Sequence, residues 1–557
     1  MLRAGGNAMD AAAAMGFALN VLEPHQNGFG GEVPTLVRSA ADGQIYAVSG
    51  HGTAPAAATI DRYRSLGVED LIPGDGFLPA VVPPTPATWI AVLDRFGTMR
   101  LADVLAPALE LAEHGFPMYD SLYETIRAQV DRFRAQWPAS AAKFLPGGQP
   151  PPIGAVWKQP DLAATFRKLI DAESECKDRS DGLRAAHERF YCGDIARQIV
   201  QFASSTPVRD ALGHEHVALL TRDDLAGFSA RIEDPVSVDY KGLQVYKCSS
   251  WTQGPVLLQS LRLLEDYDLK GMGHNSADYI HTVVECMKLA YADREFYYGD
   301  PAFADVPFDR LLSREYAADR RRLVDPAQAS MSLRPGGYDP ISAEKFADVL
   351  RAFGWAPSSG PADGDTTKLD VVDADGNMVS ATPSGGWLMS SPIIPGLGFC
   401  LGTRGQMFSM VEGHPNSLEP GKRPRSTLTP SIVTQDGRPY MAFGSPGGDC
   451  QDQWALQFFL NVVEFGMSLQ EAAEAPAFNS AHFPGSFYPR TARPGVLRCE
   501  DRIPDEVRED LSMRGHIVEV QGGWSGQNVQ VVAMDADSGV ISAGASPRRD
   551  SAYCLGW

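Results

Sequence analysis

Between Trp355 and Asp365 the chain reads WAPSSGPADGD, its clearest departure from the composition of folded protein. Pro, Ser, Gly and Asp in such density hold structure poorly. The stretch divides the 557 residues into 365 and 192, and by composition alone it reads as an interdomain linker. Directly after it comes GDTTKLDVVDADGNMVS (364 to 380), a threonine pair opening what should be a β-hairpin. On either side, helical and strand patterns alternate. Asn7 should cap a helix through AMDAAAAMGFALNVL, which Pro24 stops, and further helices fit residues 276 to 298, 451 to 465 and 468 to 475. Strands fit LQVYKCS, KLDVVDA, NMVSATP, SIVTQ and VQVVAMDA, concentrated after residue 365. This mixed order predicts α+β layers rather than a doubly wound sheet.

Several chemistries find no support. The net charge of −20 is spread rather than blocked, which argues against nucleic acid or an anionic membrane as partner. No run of 18 apolar residues exists to span a bilayer. MLRAGG reads as a helix end stopped by Gly5 and Gly6 rather than as a signal peptide, so a cytoplasmic location is expected. The eight cysteines lie far apart with no CxxC pair and are expected to be buried thiols. His214-Glu215-His216 fits a loop better than a metal-binding helix face, and no metal or cofactor is expected. DADGN (373 to 377) opens like a calcium loop, but loop position 12 holds Ser384 instead of Glu, so it reads as a hairpin turn. Neither a Gly-rich nucleotide motif nor GxSxG occurs.

Five blocks carry a resemblance. RAGGNAMDAAAAMGFALNVLEPHQNGFGGE, YADREFYYGDP, GDTTKLDVVDADGNMVSAT, GKRPRSTLTPSIV and AFGSPGGD follow one another over nearly the whole chain. Together they resemble the γ-glutamyltransferase family, whose members include γ-glutamyl hydrolases and transpeptidases, cephalosporin acylases and some small-amide amidohydrolases. The resemblance implies a four-layer αββα sandwich of the N-terminal nucleophile hydrolase type. It further implies a proenzyme that cuts itself between Asp365 and Thr366, leaving subunits 1 to 365 and 366 to 557 together as a heterodimer.

The chemistry asks for such a cut. A threonine hydroxyl needs a base to become nucleophilic. At the head of a chain its own α-amine, with an ordinary pKa of roughly 7.7 to 8, can be that base. The resemblance thus makes Thr366 the nucleophile, keeps Thr367 as the second threonine, and makes Ser384 the hydroxyl that orients the amine. The backbone N–H groups of Gly447 and Gly448 would face the oxyanion. Ser426 and Thr427 stand where the family contacts the acyl group's carboxylate.

Other positions depart from the pattern. His51 falls where γ-glutamyl enzymes use an arginine clamp, and it lacks the guanidinium fork. Met407 replaces the acid that grips the α-ammonium, Arg404 stands where an amide is usual, and Gly386 replaces an asparagine. A buried ammonium left unpaired would be strongly disfavoured, whereas Arg404 would welcome a carboxylate. The expected substrate is therefore a small-molecule amide of glutaryl type, with weaker γ-glutamyl activity. A dedicated glutathione hydrolase, an oxamate-like amide hydrolase and an unprocessed binding or scaffold relative are the alternatives.

Overall fold

The computed structural model describes residues 1–341, 366–549 and 552–556. The stretch 355 to 365, with Asp365 of the expected cut, lies outside the described residues.

Helix α1, Ala8–Leu22, begins where its cap predicts: the Asn7 side chain accepts from the Met9 and Asp10 amides, and Asp10 accepts in return from the Asn7 amide. The chain then turns into β1, Thr35–Arg38, and β2, Ile45–Val48. Helices α2 (Thr85–Phe96), α3 (Leu101–His114), α4 (Pro160–Ser174) and α5 (Arg179–Tyr191) follow. Next come β3 (Ile232–Glu233), β4 (Val236–Tyr240) and β5 (Leu243–Lys247), with helices α6 (Pro255–Leu264) and α7 (Ala277–Tyr297). After residue 366 the elements that build the sandwich include β6 (Leu369–Val372), β7 (Met378–Ala381), β8 (Ser431–Gln435), β9 (Arg438–Gly444), helix α8 (Gln451–Val463), β10 (Gln530–Met534) and β11 (Ile541–Ala545).

Two antiparallel sheets form from these strands, ordered β6-β7-β1-β2-β3 and β11-β10-β9-β8-β5-β4. Alternation along the strands assigns each face. Val37, Val48, Val371 and Val379 pack with α1 to α5, whereas Leu36, Ala47, Val372 and Met378 point the other way, onto Ile432, Ala442 and Trp251 of the second sheet's side. Val245, Val433, Met441 and Phe443 on the far face meet α6, α7 and α8. Helices, sheet, sheet and helices make the αββα sandwich.

Strands are denser after residue 366, as the sequence suggested, but two strands inside the first sheet, β1 and β2, were not foreseen. β1 and β2 were hidden because each is buried on both faces, so no polar-apolar alternation marks them. Both sheets mix strands from either side of residue 366: Thr35 pairs with Ala381, and Ser431 with Lys247. His214-Glu215-His216 also differs from the loop reading. Glu215–His216 pairs with Val208–Arg209, and His216 Nδ1 lies 2.7 Å from Asp210 Oδ2. Of the cysteines, Cys248, Cys286, Cys400 and Cys499 are buried, but Cys192 and Cys554 are exposed.

Trp251 is wedged between the sheets, fully buried, with Nε1 donating to Glu233 Oε2 at 2.9 Å. Trp251→Ala should lower stability by about 3–5 kcal/mol, read as a fall in the urea midpoint.

Candidate active site

The open end of the β6-β7 hairpin builds the centre of the site. At its other end DADGN makes the tight turn: Asp373 Oδ1 accepts from the Asp375 and Asn377 amides, and Gly376 has φ +83°. Asp373 Oδ2 accepts from the Ala8 amide at 2.9 Å, pinning the turn to the start of α1. At the open end Thr366 and Ser384 are antiparallel partners, and the Thr367 amide donates to Pro383 O at 3.0 Å. Thr366 Oγ1 donates to Ser384 Oγ at 3.2 Å, and both residues are fully buried. Neighbours on an extended strand face opposite sides, so the Thr367 side chain points away from this pair.

Ser384 is fixed from behind by Glu32, which sequence reasoning missed. The two backbones exchange hydrogen bonds of 2.7 and 2.9 Å. Arg404 bridges their side chains: Nη2 donates to Ser384 Oγ at 2.9 Å and stands 3.1 Å from Glu32 Oε2, which also accepts from Nε at 3.2 Å. The guanidinium lies 5.1 Å from the Trp387 ring and 5.4 Å from the Phe487 ring, cation–π contacts that Met407 completes as an apolar wall. Burial lifts Glu32 above the ordinary carboxylate range in spite of Arg404. Arg404 Nη1 is buried with no hydrogen-bond partner among the described residues.

Gly386 packs against the backbone of Gly30 and Gly31. Its φ is +60°, and a Cβ there would lie 2.6 Å from the Gly31 amide nitrogen. His51 is fully buried beside Trp251, ring centroids 6.0 Å apart, and neither ring nitrogen has a hydrogen-bond partner among the described residues. Burial, then the charges of Arg404 and Arg423, hold its pKa well below the usual histidine value, so it is neutral near pH 7. The same chain segment orders the hydroxyl pair, since the Ser426 amide donates to Trp251 O at 3.0 Å and Ser426 O accepts from the Gln253 amide at 2.8 Å. Thr427 Oγ1, fully buried, has no partner among the described residues.

Gly447 and Gly448 lie between β9 and α8 with φ of +121° and +55°. A Cβ on Gly447 would lie 2.3 Å from the Trp454 ring, so only glycine fits. Gly448 lies against Phe487, the same ring that flanks Arg404.

These loops share one anchor, Arg294 of α7, which is fully buried. Its Nη1 donates to Asp449, beside the two glycines, and to Gln253 Oε1 at 2.8 Å. Its Nη2 donates to Pro484 O at 2.8 Å in the segment leading to Phe487, while Nε donates to Glu295 at 2.8 Å. Arg425, next to Ser426, donates to Arg294 O at 3.0 Å and pairs with Glu295. Against the penalty of burial, Arg425 and Arg294 hold the Glu295 carboxyl below its ordinary range. The sequence placed Arg294 inside YADREFYYGDP without a role. Contacts between residues so far apart in the chain leave no local signal.

Among the described residues, no group of three or more His, Cys, Asp or Glu side chains could hold a metal ion. Nor is any described helix long and apolar enough to cross a membrane.

The fold is that of the N-terminal nucleophile hydrolases. The family model described as γ-glutamyltranspeptidase matches residues 1–555, and the chain belongs to that family. The glutathione hydrolase-like YwrD proenzyme of Bacillus subtilis is 32% identical over 99% of this chain and 94% of its own length. Among solved structures, LmbA2991HD superposes with a TM-score of 0.92 at 46% identity, covering 98% of this chain and 93% of that one. The cephalosporin acylase from Bacillus halodurans gives 0.82 at 30%, covering 99% and 91%. The chain is thus an enzyme of the hydrolase and transpeptidase class.

Arg294→Met would leave Asp449 and Glu295 short of a buried cation. A loss of about 3–5 kcal/mol is expected, read as a lowered melting temperature.

Proposed function

We propose that the chain is a proenzyme that cuts itself ahead of Thr366 and then works as a heterodimer of residues 1 to 365 and 366 to 557. The observation that carries this reading is the buried contact of Thr366 Oγ1 with Ser384 Oγ at 3.2 Å, at the mouth of a hairpin held on both sides. In the cut, Thr366 Oγ1 attacks the Asp365 carbonyl carbon, the peptide nitrogen leaves as the α-amine, and an ester links the two residues. Water then opens the ester, returning the hydroxyl to Thr366 and a carboxylate to Asp365.

Turnover repeats this pattern on substrate. The freed α-amine takes the hydroxyl proton, Oγ1 attacks the amide carbonyl, and the proton passes to the departing amine. Water or an acceptor amine then releases the acyl group. The Gly447 and Gly448 amides would serve the oxyanion, and Ser384, its oxygen accepting from Arg404, would orient the threonine. Thr366→Ala should give one intact band on a denaturing gel, where the wild type gives two, of 365 and 192 residues.

The acyl group we favour is of glutaryl type. Met407, with Trp387 and Phe487, makes an apolar wall where an α-ammonium would need an acid. Arg404 Nη1 and Thr427 Oγ1 are buried donors suited to a terminal carboxylate. Glutaryl p-nitroanilide should exceed γ-glutamyl p-nitroanilide in kcat/KM, with or without a dipeptide acceptor. A tenfold advantage for the γ-glutamyl compound would instead support a glutathione hydrolase, as the name of the Bacillus subtilis relative suggests.

A further inference from the structure

Arg404 does not meet a substrate with its whole guanidinium. The Nε and Nη2 edge is already taken by Glu32 Oε2, at 3.2 and 3.1 Å, and Nη2 also serves Ser384 Oγ. The rings of Trp387 and Phe487, 6.1 Å apart, pack beside the guanidinium at 5.1 and 5.4 Å. Only the Nη1 corner is left, without a partner among the described residues.

Glu32 has no freedom to withdraw. It is 1% exposed, and its backbone is locked to Ser384 by two hydrogen bonds. Its carboxylate sits in a cradle that glycines alone permit, since a Cβ on Gly385 would lie 1.9 Å from Oε2 and one on Gly402 2.6 Å from Oε1. The Arg404 charge is therefore matched before any substrate arrives. His51 adds no balancing charge, being neutral.

We propose that Glu32 is a specificity-determining residue: as a built-in counter-ion to Arg404, it limits how strongly the site selects an acyl group ending in a carboxylate over one ending in a neutral carboxamide. The inference rests on the acyl-threonine reading above, with Arg404 beside the acyl group. A substrate carboxylate would approach from the Nη1 corner, opposite the edge Glu32 holds, and so would feel Arg404 more closely than Glu32. Removing the Glu32 charge should therefore strengthen carboxylate selection. Removing both charges should weaken it.

The test uses self-processed enzyme and two p-nitroanilides of equal length, one glutaryl and one ending in the carboxamide of glutaramic acid. The quantity read is the ratio of their kcat/KM values. Glu32→Gln keeps the shape and an acceptor for Arg404, and it should raise the glutaryl-to-carboxamide ratio at least tenfold, through KM of the glutaryl compound rather than kcat. The double variant Glu32→Gln with Arg404→Gln leaves no buried charge unmatched, and it should lower the ratio at least threefold below wild type. It serves as the deciding measurement if the single variant does not fold. Turnover of both anilides with an unmoved ratio overturns this inference alone. Turnover of neither by processed wild type overturns the acyl-threonine reading, and this inference with it.

Discussion

One buried guanidinium holds the site in register. Arg294 reaches the glycine loop through Asp449, the aromatic wall through Pro484 O, and the hydroxyl pair through Gln253 and Arg425. A cation so deep is tolerable only because its hydrogen bonds are met and two carboxylates face it. The planar fork matters here. A lysine would carry the charge but could not point fixed donors in three directions. The glycine loop, with its strained φ angles, is thus supported by a rigid helix rather than by its own backbone.

A second buried pair, Glu32 and Arg404, does different work. Arg294 joins loops to a helix, whereas Arg404 joins Glu32 to the Ser384 hydroxyl. Both pairs lie against aromatic rings, Arg294 over Tyr291 at 4.7 Å and Arg404 over Trp387 at 5.1 Å. Low surrounding polarity strengthens each pairing and makes a lone charge in the same place expensive. His51 shows the alternative outcome, since with two arginines nearby and no acid it stays neutral.

Much of this was legible in the sequence where the signal is local. Asn7 caps the helix it was expected to cap, and the helices expected from 276 and 468 begin just there, capped by Ser276 and Ser468, because a cap and the amides it accepts from lie within one turn. The hairpin after Thr366 is where the DADGN turn put it, with strands Leu369–Val372 and Met378–Ala381. What escaped was long in range. Glu32 meets Arg404 across 372 residues and Arg294 meets Asp449 across 155, distances over which a single sequence carries no pairing signal. At Gly386, which replaces an asparagine of the family pattern, Gly31 packs too closely for a side chain, a contact across more than 350 residues. β1 and β2 escaped for the opposite reason, being so short, four residues each, and so nearly buried on both faces that no alternation marked them as strands.

The mixing of strands across residue 366 has a kinetic consequence. In a continuous chain, pairing Thr35 with Ala381 is an intramolecular event, and refolding does not depend on concentration. A cut at the head of the hairpin would leave every one of those hydrogen bonds in place yet make reassembly a meeting of two molecules. Native stability at working temperature would then rest on the slowness of opening, not on the ease of return. Such a protein remembers in its sheets that it was once a single chain, and after full denaturation it recovers only as fast as dilution allows.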